Sequence, residues 1–296
     1  MPTATNIWMA ALLVVYFVAG IFIRRDELRA ARGWERFILL GPVFMGASLA
    51  AFAPEHFKGP EFVQQMVPAY MPVRAFWPPF VGCCLLAAGA SLVLRKFARW
   101  AAILLGAMFT LFVCMIWIPL TIANAGDRQA WLLLARDSSF AAGCWALAGV
   151  YNRDAWPRFS GWVILIARMV IAVAVMFFGW QHLLHPECVP GVPSEKLSPA
   201  WLVAPHFWAF LVGAILVVAA VGLAVDRYAR LAAASVGTVM TFLTVFLYGP
   251  LLILALRGSA ADVGEALNYV ADTLLYAGIA LALALAMPRD VLRQRN

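Results

Sequence analysis

Four histidines and two aspartates are the side chains best suited to chemistry in this chain, and their spacing groups them. His56 and His182 each stand four residues before a proline, Pro60 and Pro186. His185 follows His182 by three residues, so on a continuing helix both face one side. His206 opens a further apolar stretch, while Asp137 and Asp272 each precede a glycine, Gly143 and Gly278, by six residues. Imidazole can relay protons near neutral pH, ligate a metal, or hydrogen-bond a quinone carbonyl. A carboxylate in hydrocarbon is costly and marks a functional candidate. His56, His182, Asp137 and Asp272 are therefore the catalytic candidates. Each has a structural alternative: the histidines could tie loops to helix ends, and the aspartates could reach water or pair with Arg136. His185, His206, Arg168, Trp117 and Tyr248 are the ligand-binding candidates, again with structural alternatives, among them a snorkelling Arg168 or its pair with Asp226. No metal is expected, because the H-x-x-H spacing comes with no H-E-x-x-H pattern and no nearby cysteine ligand set. The five cysteines include no C-x-x-C pair, which gives no sign of a dithiol centre or a disulfide framework.

The elements that must position these residues belong to a bilayer. Hydrophobic residues make up 64% of the chain and charged ones 12%, against roughly 45–50% and 25% in soluble domains. Nine apolar stretches can cross about 30 Å of hydrocarbon: about 5–23, 37–53, 76–94, 100–121, 138–151, 162–182, 206–225, 231–256 and 266–287. The first has no basic n-region or small-residue cleavage site and ends in Arg24-Arg25, so it reads as a retained anchor. Lys and Arg fall unevenly between alternate connections: fifteen around 24–36, 95–99, 153–158, 227–230 and 289–295, but six in the other set, with Arg168 inside a helix. The expected location is a cell (inner) membrane, and the positive-inside rule puts the N-terminus on the extracytoplasmic side and the C-terminus in the cytoplasm. The net charge of +7 is a topology signal, and nucleic acid is not an expected partner.

The chain also repeats itself. FWPPFVG at 76–82 returns as FWAFLVG at 207–213, and RKFARWAA at 95–102 as DRYARLAA at 226–233, with Trp117 meeting Tyr248 and Pro119 meeting Pro250 at the same 131-residue offset. The expected fold is all-α and polytopic, one N-terminal helix plus two parallel four-helix repeats, about nine transmembrane helices in all. The units are 1–33 (N-terminal helix and basic loop), 34–151, a linker 152–159, 160–287, and a tail 288–296. Two long Pro-rich loops, 54–75 and 183–205, should form interfacial or re-entrant segments covering the outer mouth of the bundle. Pro119 and Pro250 should end or kink their helices and can open a cavity.

Arg168 early in a helix, Gly179 and His182 at its outer end, the His185-Pro186 step, a Pro-rich loop and a glycine-bearing second helix ending in a basic turn together resemble the DoxX family of bacterial four-helix membrane proteins. The first copy is similar but carries Pro42 at the position matching Arg168, keeping Gly46 and His56. The resemblance covers about 34–287 as two fused copies, and no catalytic residue is fixed well enough in the family to carry over. It implies a small membrane subunit, in some relatives tied to quinone-linked redox chemistry or to an oxidoreductase assembly. A quinone is the cofactor that fits this reading. The chain shows no haem-attachment, iron–sulfur or dinucleotide motif, so electrons would come from a soluble or membrane oxidoreductase subunit. The alternative is a non-enzymatic scaffold, carrier or binding module for a lipid, small solute or exported protein.

Overall fold

A computed structural model describes residues 2–58 and 60–288; the tail 289–296, with Arg289, Arg293 and Arg295 counted above, lies outside the described residues. The protein is an all-α polytopic membrane protein. Among the described residues there is no strand, and eight helices are long and apolar enough to cross a membrane.

Among the described residues nine long helices run in order: α1 Ala4–Ile23, α2 Gly41–Lys58, α3 Trp77–Leu94, α4 Ala98–Phe112, α5 Arg128–Tyr151, α6 Pro157–Leu184, α7 Pro205–Ala224, α8 Ala229–Leu243 and α9 Ala260–Ala286. The long helix outside those eight is α5, 24 residues in length and interrupted by charge. Large apolar side chains cover the outside of the bundle, among them Val18, Trp100, Val173, Val218 and Phe246. Such a surface is at home in lipid. The interior belongs to α2, α5 and α9, and in α9 nearly the whole apolar window is buried.

Lipid gives helices no hydrophobic reason to associate, so they pack through small residues that let backbones approach. A methyl group on Gly46 would fall 2.8 Å from the Gly89 carbonyl oxygen, and one on Gly179 would fall 3.0 Å from that of Gly213. These contacts seat α2 on α3 and α6 on α7. The helices α4 and α8 pack on α5 and α9, and α5 and α9 meet at the centre. Successive contacts along that central pair, Arg136 to Asp272, Ser139 to Tyr276 and Gly143 to Ile279, advance in the same direction on both chains of residues. The two helices are therefore parallel. Outside this ring, α1 lies on α2 and α3, and its Asn6 amide donates to the Ala260 carbonyl at the start of α9, at 2.8 Å.

Three expected boundaries shift. The helix expected from 138 starts ten residues earlier, capped by the Asp127 side chain on the Gln129 amide. Its charged residues had marked an end because hydropathy penalises charge whatever its partner. Likewise α2 runs through Pro54 to Lys58, so Glu55 and His56 belong to a helix and not to the loop. Finally, neither Pro119 nor Pro250 ends its helix. Each follows a π-helical segment, Val113–Trp117 and Thr244–Tyr248, after which helix resumes at Ile118–Ala123 and Gly249–Ala255. The widened turn makes room for the proline ring against the carbonyl four residues back and absorbs its missing N–H.

Candidate functional site

The revised start of α5 changes where its aspartate lies. Asp137 is nine residues past Arg128, about 14 Å into the helix at 1.5 Å per residue, and Asp272 is twelve past Ala260, about 18 Å. Both are buried, with 5% and 7% exposure. Of the two structural alternatives for these aspartates, reach to water or a pair with Arg136, their depth and burial fit the second.

Arg136 joins them. Its Nε donates to Asp137 Oδ1 at 2.9 Å and a terminal nitrogen donates to Asp272 Oδ2 at 3.0 Å, so one guanidinium bridges the central helices. The second oxygen of Asp137 accepts from Trp117 Nε1 at 2.5 Å. Trp117 is the last residue of the first π segment, and the extra residue in that turn sets the direction from which the indole approaches. One guanidinium balances one carboxylate charge. The second is left for a proton or a cationic group to balance.

Around this cluster the two long loops behave differently. Near α2, His56 Nδ1 lies 3.0 Å from the Phe52 carbonyl, and Glu55 accepts from the Asn268 amide at 2.9 Å. Its loop continues as a short helix, Pro60–Met66. The loop after α6 instead folds into the bundle without a helix. An isolated bridge between Cys188 and Leu197 closes it, and Val189 and Val192 enter the core.

His182 holds that insertion. A carbonyl can only accept, so Nδ1 donates to the Phe178 oxygen at 2.5 Å, and Nε2 accepts from the Gly191 N–H at 2.8 Å. Both ring nitrogens are used, which makes the ring a neutral Nδ1–H tautomer with 0% exposure. It has no nitrogen left for a ligand. These two bonds are the kind of loop tie that the structural alternative for this histidine describes.

Further clamps act on the same loop. Arg128, at the start of α5, donates to the Ser194 carbonyl at 2.7 Å and to Gln181 Oε1 at 2.9 Å. Tyr248, last residue of the second π segment, donates to the Pro190 carbonyl at 3.1 Å and stacks on Tyr269, whose hydroxyl reaches Glu195 at 3.3 Å. The matching π-segment aromatics thus serve different ends: Trp117 faces the ion cluster and Tyr248 the inserted loop.

Residues 163–249 match the DoxX family model. The DoxX segment runs from the seventh residue of α6 to Gly249, just after the second π segment. It contains Arg168, Gly179, His182, His185, His206 and Tyr248, whereas Trp117, Arg136, Asp137 and Asp272 lie outside it. No curated protein and no solved structure matches the chain.

The remaining candidates separate from the cluster. Within the DoxX segment His185 bonds Glu187 at 3.1 Å in the loop, and His206 is exposed at the start of α7. Hydrogen bonding to its own backbone N–H, and then to His185, holds the Glu187 carboxyl below its ordinary value, while burial pushes the Cys188 thiol up. Arg168 lies at the opposite end of the bundle, paired with Asp226. Sequence reasoning missed Arg136 as the organiser and Glu195 and Tyr269 as loop partners. The Arg-Asp pair inside WLLLARDSSF was the available signal for the first.

Proposed function

We propose that this DoxX-type membrane protein binds a lipid-soluble quinone beside the Arg136–Asp137–Asp272 cluster and manages its protons, as the membrane subunit of an oxidoreductase. The surplus buried carboxylate supports this reading most. Reduction of a quinone to a quinol takes two electrons and two protons. The electrons would come from a redox centre on a partner subunit, and the protons would pass through the cluster carboxylates. Access is supported by a lipid-facing cavity of about 460 Å³ between α4, α5 and α6, lined by Val113, Ser138, Trp145, Ile166 and Val170. Its size suits a small-molecule ligand, and Ser138 is the neighbour of Asp137. In this reading His182 positions the loop over the site, and His56, with no Nε2 bond among the described residues, is the histidine free to contact a carbonyl.

The test uses purified full-length protein with short-chain benzoquinone and naphthoquinone. The melting temperature should rise by a few degrees at saturating quinone, and Val170→Trp, which fills the cavity, should remove the shift. Absence of both a shift and co-purified quinone would sink the proposal. The tightly engaged His182 favours a second reading, a non-enzymatic scaffold or carrier. Under it, Asp137→Asn with Asp272→Asn should leave cellular function intact provided the protein folds.

We further propose that 34–151 and 160–287 are tandem copies of a DoxX-like unit. The π segments at a 131-residue offset support it. So do the His56 and His182 Cβ atoms, which face equivalent glycines, Gly82 and Gly213, at 2.9 and 3.0 Å from a built methyl. The orientation proposed for the chain puts the cluster's loops outside the cytoplasm in the inner membrane. In a cysteine-free background, an impermeant maleimide applied to cells should label Gly126→Cys and spare Arg29→Cys. The reverse pattern would invert the topology.

A further inference from the structure

At the other end of the bundle, a cavity of about 400 Å³ lies between the first turns of α6, the end of α9 and the turn joining α7 to α8. Ser160, Ile164 and Arg168 line it from α6, spaced four residues apart and so on one stripe of that helix. Arg153, Asp226 and Met287 face them.

The polar groups here are incompletely satisfied. Arg168 is 7% exposed, yet the carboxylate it pairs with, Asp226, has a side chain 87% exposed. The guanidinium has five N–H donors, and its Nε makes no hydrogen bond among the described residues. Ser160 is 1% exposed and its Oγ also lacks a partner among the described residues. Buried donors of this kind cost free energy unless a ligand meets them. Arg153 adds a second cation, leaving the cavity one positive charge in excess of Asp226. Trp156, just before α6, and Phe159 and Trp162 in its first turns are exposed and mark the level of a membrane interface. Arg168 lies six residues below Trp162, about 9 Å.

We propose that this cavity binds a phosphate-bearing anion, accepting hydrogen bonds from Arg168 Nε and Ser160 Oγ and balanced by Arg153. A lipid headgroup and a soluble phosphate share this chemistry. The site is separate from the quinone cluster, and neither proposal depends on the other.

Native mass spectrometry of the delipidated full-length protein would count bound phosphatidylglycerol against phosphatidylcholine, and calorimetry would titrate inorganic phosphate. Wild-type protein should favour phosphatidylglycerol by roughly tenfold, because both lipids offer the phosphate but only a net anionic headgroup answers the cavity's excess positive charge, which the choline cation of phosphatidylcholine opposes. Arg168→Gln should lose that preference, and Ser160→Ala, the milder change, should weaken it while the melting temperature stays within a few degrees. Phosphate binding without lipid preference, lost in the same variants, supports the site with a soluble occupant. Failure of both ligands to bind, or equal binding by wild type and folded variants, overturns it.

Discussion

Arg136→Leu should destabilise the protein by about 3–5 kcal/mol, because it strands two buried carboxylates without a counter-charge. Few side chains in the bundle are bonded to both central helices, and here the loss acts on α5 and α9 together. Adding Asp137→Asn and Asp272→Asn to the same protein should recover most of that stability, since neutral amides need no cation and can hydrogen-bond each other. Reversible unfolding in mixed micelles would measure both. A single variant losing under about 1 kcal/mol would mean that the guanidinium is not what balances the aspartates. A triple variant no better than the single one would move the cost to packing against Phe140, over whose ring the guanidinium lies at 5.5 Å.

His182→Leu should cost about 2–4 kcal/mol, combining an orphaned buried Gly191 N–H with imperfect filling of the site. The consequence should be local before it is global. Residues 187–198 would lose the bond that holds them in the bundle, and limited proteolysis should cut there first. His182→Gln can still offer an oxygen to the Gly191 N–H, so it should restore much of the protection. If the glutamine variant is well folded and protected yet has lost the quinone-induced thermal shift, the ring does more than hold the loop. If His182→Leu is neither less stable nor more susceptible to cleavage, the loop is held by Arg128 and Tyr248 without it.

These two experiments address residues that the sequence ranked in opposite order to the structure. Histidines stood out in the chain because there are four of them and their spacing to proline recurs. Burial then consumed both nitrogens of His182, which no spacing rule can foretell, since Gly191 N–H reaches it only when the loop folds inward. Arg136 was visible as a possible partner of the aspartates, but not as a bridge between two helices. Its second acceptor, Asp272, is 136 residues away and meets it only where α5 and α9 cross. The same distance explains the misplaced helix start. A segment such as RQAWLLLARDSS looks like a loop flank when each charge is counted as unpaired, but as helix it is capped by Asp127, pairs Arg136 with Asp137 and Asp272, and sends Arg128 to Gln181 and Ser194.

Composition and hydropathy by themselves determined that the chain is helical and polytopic in a bilayer, because those properties follow from the average character of long segments and from local periodicity. Glycine positions and the Trp117 and Tyr248 match were legible for the same reason: each is a property of one stretch compared with another. Only the tertiary structure decided which charge meets which, that the prolines are accommodated by π turns, that one loop enters the bundle and the other does not, and that Arg168 sits buried with donors to spare. Pairing between groups more than a hundred residues apart depends on how helices are rotated and crossed, and side-chain energies in a low dielectric depend steeply on that geometry.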